Sequence, residues 1–151
     1  MDLSRLEALG LIEKAEFSAG QIESNLSRAR RDLATAKANL KIDEEWAYTI
    51  AYHAMLRAGR AFMFASGYRP RGKDQPKTVV EFCSENLGKD FQHLIARFNR
   101  MRVKRHDFIY DPERPIPKTE AVKSLESAER FVQEIIRSIH ELNPQKTLIP
   151  E

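Results

Sequence analysis

A chain of 151 residues is expected to form one domain, residues 1–151, around one core that hides roughly two-thirds of the surface its unfolded form exposes. Its single cysteine, Cys83, rules out an internal disulfide, and with no membrane-length apolar run and no leader pattern the expectation is a cytoplasmic protein with no membrane attachment. A formal charge of +3, from 25 Lys and Arg against 22 Asp and Glu, does not mark a nucleic-acid binder by itself, so the placement of the charges matters more than their sum.

Along the chain, Leu3, Leu6, Leu9 and Ile12 recur at helical spacing, interrupted by Gly10, and predict a short accessory helix within Met1–Ile12. The core begins near Ser18, whose hydroxyl can cap a long helix running to Leu40 with the seam Ile22, Leu26, Ala29, Leu33, Ala36, Leu40. Asp43 opens the next helix, with Glu44 and Glu45 placed to favour its positive end. From Trp46 to Ser66 alanine recurs at 47, 51, 54, 58, 61 and 65, steps of four and three that make a packing seam. Trp46, Ile50, Met55 and Phe62 are expected to flank it with bulk.

Gly67–Pro76 reads as a loop on its glycine and prolines. A shorter helix is predicted over Thr78–Leu87, stopped by Gly88 in the left-handed conformation, and another over Asp90–Tyr110. The three prolines of Asp111–Lys118 forbid a continuing helix; Thr119 then caps a last one with the seam Ala121, Leu125, Ala128, Val132, Ile135, Ile139, Leu142. The core thus spans 18–142, and 143–151 is expected to be a frayed tail. No stretch alternates with period two, and there is no glycine-rich phosphate loop, CxxC pair or HExxH helix. The expected fold is all-α, an antiparallel four-helix bundle with additional short helices.

The four-three rhythm breaks on the Asp90–Tyr110 segment. It gives Phe91, Ile95, Phe98, then Arg102 and Arg105, then Ile109, while Arg100 points nearly the opposite way. A guanidinium on a buried stripe needs a carboxylate, a polar cleft, a second subunit or an anionic ligand. One reading is that the helix end rises from the core and Asp107 or Asp111 pairs with the arginines. The other is a phosphate-binding cleft, since arginine offers a planar fork of donors, His106 can move protons near neutral pH, and Tyr110 can stack on a base. Arg28, Arg30 and Arg31 read as a solvated face, and Arg69, Arg71 and Lys73 as an exposed loop that could extend a phosphate track. His53, His93 and His140 lack ligand spacing, so no metal and no cofactor is expected. Cys83, on an apolar helix face, reads as an inert core thiol.

The stretches AYHAMLRAGRAFMFASGYRP and RMRVKRHDFIYD, with KTVVEFCSENLG between them and a proline-bearing connector and amphipathic helix after, resemble the HEPN superfamily from about Leu3 to Leu142. The resemblance implies a small prokaryotic HEPN protein of the kind paired with a minimal nucleotidyltransferase in toxin–antitoxin systems. It also implies a metal-independent ribonuclease site of arginine, polar residue and histidine shared across a homodimer. On this chain Arg102, Arg105 and His106 are the candidate catalytic residues, and Arg102, Arg105 and Tyr110 the candidate contacts to nucleotide or RNA. The register that best fits the motif sets Arg105 and His106 on its first two places and Tyr110 where its histidine stands. The alternative is therefore a non-catalytic HEPN protein that binds nucleotide or RNA, or a partner or substrate of a nucleotidyltransferase modified on Tyr110.

Overall fold

Two side-chain caps set where the long helices begin. Ser18 Oγ accepts from the backbone N–H of Gln21 at 3.1 Å while Gln21 Oε1 accepts from the N–H of Ser18 at 2.8 Å, a reciprocal box that starts a helix over Ala19–Asn39. Asp43 Oδ1 accepts from the N–H groups of Glu45 and Trp46 and starts the next over Glu44–Ala65. The computed structural model describes residues 1–110 and 115–142, with side chains up to Asp107 and from Pro115 onward. Among them the order is α1 (Ser4–Ala8), β1 (Ile12–Lys14), α2 (Ala19–Asn39), α3 (Glu44–Ala65), β2 (Tyr68–Pro70), α4 (Gln75–Asn86), α5 (Gln92–Tyr110) and α6 (Lys118–Leu142). The fold is all-α in its core. Residues 111–114 and 143–151, including the first half of the proline connector and the expected tail, lie outside the described residues.

A four-residue link returns α3 along α2, and these two helices share the most extensive contact, followed by α3 with α6. Ala47, Ala51, Ala54, Ala58 and Ala61 are all at most 1 % exposed, so the alanine seam is the packing surface it was expected to be. Between Ala47 and Met63 every residue of α3 is buried except Ile50, His53, Arg57 and Arg60, which form a single outer stripe at helical spacing. Trp46 belongs to that stripe and is 52 % exposed. Its indole therefore does not flank the seam; one residue before Ala47, it is rotated about 100° away from the packed side.

Gly59 lies where α3 packs tightly against α4 and α5. A methyl added there would stand 2.6 Å from Val79 Cγ1 and 3.4 Å from Cys83 Sγ on α4, with the Phe98 ring of α5 at 3.7 Å. On α6 the predicted seam from Ala121 to Ile139 is buried, whereas Leu142 is exposed.

Five local expectations are corrected. The accessory helix ends at Ala8, and Ile12 lies in a strand: β1 pairs antiparallel with β2 in the register Ile12 to Pro70, Glu13 to Arg69 and Lys14 to Tyr68. The segment read as a loop thus contributes a strand, its pairing extended by Ala15 N–H to Gly67 O and Arg71 N–H to Leu11 O. Helix α4 begins three residues before Thr78, because Pro76 suits a first turn and Asp74 occupies the N-cap position. Gly88 has φ −67° and is extended, not left-handed, since the chain passes straight into a 3-10 turn over Lys89–Phe91 before α5. Finally, Thr119 lies inside the first turn of α6, where Pro117 O accepts from Glu120 and Ala121. Among the described residues no helix is long and apolar enough to cross a membrane.

Candidate functional site

The 3-10 turn shifts the phase of α5. Its buried stripe runs Leu94, Phe98, Met101 with Ile95 beside it, and the next position of that stripe is Arg105. Arg102 stands on its shoulder, half-buried, and Arg100 is exposed on the far side. Phe91, expected to open the stripe, sits in the 3-10 turn and is only partly buried.

Arg105 is held at the edge of the core. Its guanidinium carbon lies 5.7 Å from the ring centroid of the buried Tyr52, a cation–π placement, and its Nε is buried with no hydrogen-bond partner among the described residues. The Nε–H of Arg102 donates to Asn99 Oδ1 at 3.1 Å. Asp107, a candidate counter-ion on sequence grounds, pairs with neither arginine among the described residues; the carboxylate that does meet α5 is Glu120, which binds Lys104 at 2.7 Å. Asp111 lies outside the described residues.

Arg102, Arg105 and His106 line one cleft of about 300 Å³ together with Tyr52 of α3, Asp74 and Pro76 at the start of α4, and Val103. His106 is exposed on its wall. Tyr110 closes α5, but its side chain lies outside the described residues, so neither a stacking nor an acceptor role is placed.

The electrostatics of the cleft floor follow from burial among cations. Burial raises the Tyr52 phenol, with Arg105, Arg102 and Arg60 acting against that shift and Asp74 with it. His53, next to Tyr52, is pushed below 6.5 first by burial and then by the charges of Arg105, Arg57 and Arg60, with Asp32 opposing. Arg57 is tied to Asp32 at 2.8 Å across α2 and α3, an ion pair that also holds Arg28 at 3.5 Å. Asp74 carries a left-handed backbone, φ 53° and ψ 51°, and makes no side-chain cap.

Sequence reasoning did not bring His53, Arg60 or Asp74 to this place. The signal was there for the first two: His53, Arg57 and Arg60 are the polar members of a stripe at steps of four and three on a helix otherwise apolar at those levels. Cys83 is fully buried and its thiol is pushed up to about 12 by burial, which makes it inert at neutral pH. His93 lies on a different face, with Lys89, Arg130 and Arg137. Among the described residues no group of three or more His, Cys, Asp or Glu is placed to hold a metal ion.

A family model described as the HEPN domain matches residues 22–139. No curated protein matches the chain. The matched segment runs from the buried Ile22 of α2 to the buried Ile139 of α6 and takes in the alanine-seamed helix, the phase-shifted α5 and the whole arginine-lined cleft. A match over that much of a helical bundle, on the helices that carry its seams, places the chain in the HEPN domain family.

Proposed function

We propose that this HEPN protein is the ribonuclease component of a toxin–antitoxin pair, acting in the cytoplasm as a homodimer without a metal ion. The observation that carries the reading is the convergence of Arg102, Arg105 and His106 on one cleft, with the Arg105 Nε–H buried and making no hydrogen bond to a described residue. Such a donor costs about 1–3 kcal/mol while it lacks an acceptor, and a phosphate oxygen supplies one. In the proposed reaction His106 takes the proton of a ribose 2′-hydroxyl, and the 2′-oxygen attacks phosphorus. The bond from phosphorus to the 5′-oxygen breaks, and that oxygen takes a proton from the His106 of the second copy. The arginines bind the non-bridging oxygens whose charge grows in the phosphorane. The products are a 2′,3′-cyclic phosphate and a 5′-hydroxyl end.

Purified protein incubated with single-stranded RNA and chelator is expected to cleave it, and His106→Ala to lower the rate by about 10²–10⁴-fold. Wild-type cleavage no faster than that variant, in a sample shown to be dimeric by sedimentation, would rule the enzyme out.

One observation favours a second reading, a non-catalytic protein that binds RNA or nucleotide and is the partner or substrate of a nucleotidyltransferase. In the register that aligns Arg105 and His106 with the motif, Tyr110 takes the histidine's place, and a phenol is a poor base at neutral pH. Its hydroxyl would instead accept a nucleotidyl group. Intact mass after incubation with such an enzyme and ATP would rise by one nucleotidyl group, and Tyr110→Phe would abolish the rise.

A further inference from the structure

A second cleft, of about 580 Å³, opens on the other side of the first turn of α4. Gln75 lines it, while its neighbours Asp74 and Pro76 line the arginine cleft, so the two depressions share this turn as a common rim. Its lining includes Glu13 of β1, Phe17, Arg60 and Phe64 of α3, Arg69 of β2, and Arg71.

Three guanidinium groups here meet one carboxylate. Glu13 binds Arg69 at 2.5 Å and Arg71 at 3.7 Å, and Arg60 has no hydrogen bond or ion pair among the described residues although it is half-buried. Arg60 lies on the outer stripe of α3 that also carries His53, and its charge acts on Tyr52, which lines the first cleft. A partly sunken cation in a cleft with surplus positive charge selects an anion. Beside it, Phe17 and Phe64 are stacked, centroids 3.9 Å apart and planes within 13°, and both contribute apolar surface to the cleft lining. Cations set next to aromatic apolar surface suit a unit that has both a phosphate and a base, and the volume is that of a small-ligand site.

We infer that this cleft is a second nucleotide-binding subsite, with a phosphate on Arg60 and Arg71 and a base against the Phe17 and Phe64 pair. A single strand lying over the α4 rim is then gripped on both sides of that turn, one nucleotide in each depression. The inference builds on the RNA-binding reading above. A nucleotide unit of the same chemistry could also arrive as a mononucleotide, and the experiment separates the two sources.

The test measures anisotropy of a labelled, fully 2′-O-methylated single-stranded 12-nucleotide RNA, which resists cleavage, and in parallel the binding of AMP. Wild type is compared with Arg60→Gln, Arg71→Gln at an exposed position, and Arg102→Gln in the first cleft, each checked for wild-type helicity and melting. Arg60→Gln and Arg71→Gln are expected each to weaken RNA binding about tenfold, the equivalent of one charge-assisted contact. Each should also flatten the plot of log affinity against log salt by about 0.7, the slope of one phosphate on a single strand. Loss of AMP binding in both variants with RNA binding unchanged supports the subsite and assigns it to mononucleotides. RNA and AMP binding both indifferent to Arg60 and Arg71, with Arg102→Gln still weakening RNA, overturns the subsite and leaves the first cleft standing. The converse, a loss only at Arg60 and Arg71, supports the subsite and removes the first cleft from RNA binding. No binding of either ligand by wild type overturns both.

Discussion

Asp74 has a left-handed backbone and lines the arginine cleft, so it brings a negative charge among the groups proposed to bind phosphate. Asparagine tolerates the same conformation and carries no charge. Asp74→Asn is therefore expected to tighten RNA binding about three- to tenfold at low ionic strength, with the gain fading as salt is raised. An unchanged affinity in a titration at 20–50 mM salt, on the order of a Debye length of 15–20 Å, would mean that the carboxylate does not face the bound anion.

His53 makes a second prediction, about pH. Its imidazolium is disfavoured in the folded protein by burial and by Arg105, Arg57 and Arg60, so below 6.5 the unfolded chain takes up a proton before the native one does. Stability is expected to fall as pH drops from 6.5 through the depressed native value, and to receive no contribution from this group above 6.5. Urea titrations from pH 7.5 to 5 should show a shallower decline in His53→Gln; parallel curves for the two proteins would refute the shift. Arg102 and Arg105 were legible in the sequence because they interrupt an apolar rhythm. The stripe of His53 and Arg60 was visible too but pointed to no site, because on a helix dominated by its alanine seam a polar outer stripe looks like ordinary solvent contact.

At the scale of elements, Gly59 decides how closely α3 meets α4. Alanine would recover about 1 kcal/mol of helix propensity but bring its methyl to 2.6 Å from Val79 Cγ1, an overpacking that costs about 1–3 kcal/mol. Gly59→Ala is expected to lower stability, and Gly59→Ala with Val79→Ala to regain part of the loss; a single variant more stable than wild type in chemical denaturation would show that α4 yields. The long helices could be read directly, since Ser18 and Asp43 announce their starts and the four-three seams continue for five or six repeats. The strands could not. Three residues are too few to display a period of two, and β1 and β2 find each other across more than fifty residues of intervening chain. The geometry of Gly88 depends on the 3-10 turn that follows it, which nothing in Lys89–Phe91 advertises.

At the scale of the molecule, the cleft is tied to the core by a train of rings. The Arg105 guanidinium rests on Tyr52, Tyr52 lies 6.0 Å from Phe98, and Phe98 lies 5.3 Å from Phe131 on α6. Phe131 does not line the cleft, yet it supports what does. Phe131→Leu is expected to cost about 1–3 kcal/mol and to weaken RNA binding as well as lower the melting temperature. A melting temperature that falls while affinity at a temperature well below it stays constant would cut the train at Phe98. The modest overall charge of +3 hides all this, because the cations that count are gathered along one side of α3 and the end of α5 rather than spread evenly.

The paired strands have one more consequence. The HEPN match begins at residue 22, after β1, yet Leu6 and Ile12 from the segment before it are buried, and Glu13 and Phe17 wall the second depression. That leading segment acts as a porch on the matched bundle: it keeps weather off the apolar flank and contributes wall to the second depression. If that depression holds a nucleotide as inferred above, unsettling the porch with Ile12→Ala should shorten the stretch of RNA this chain protects from digestion, while the arginine cleft, built wholly from residues after it, keeps its grip.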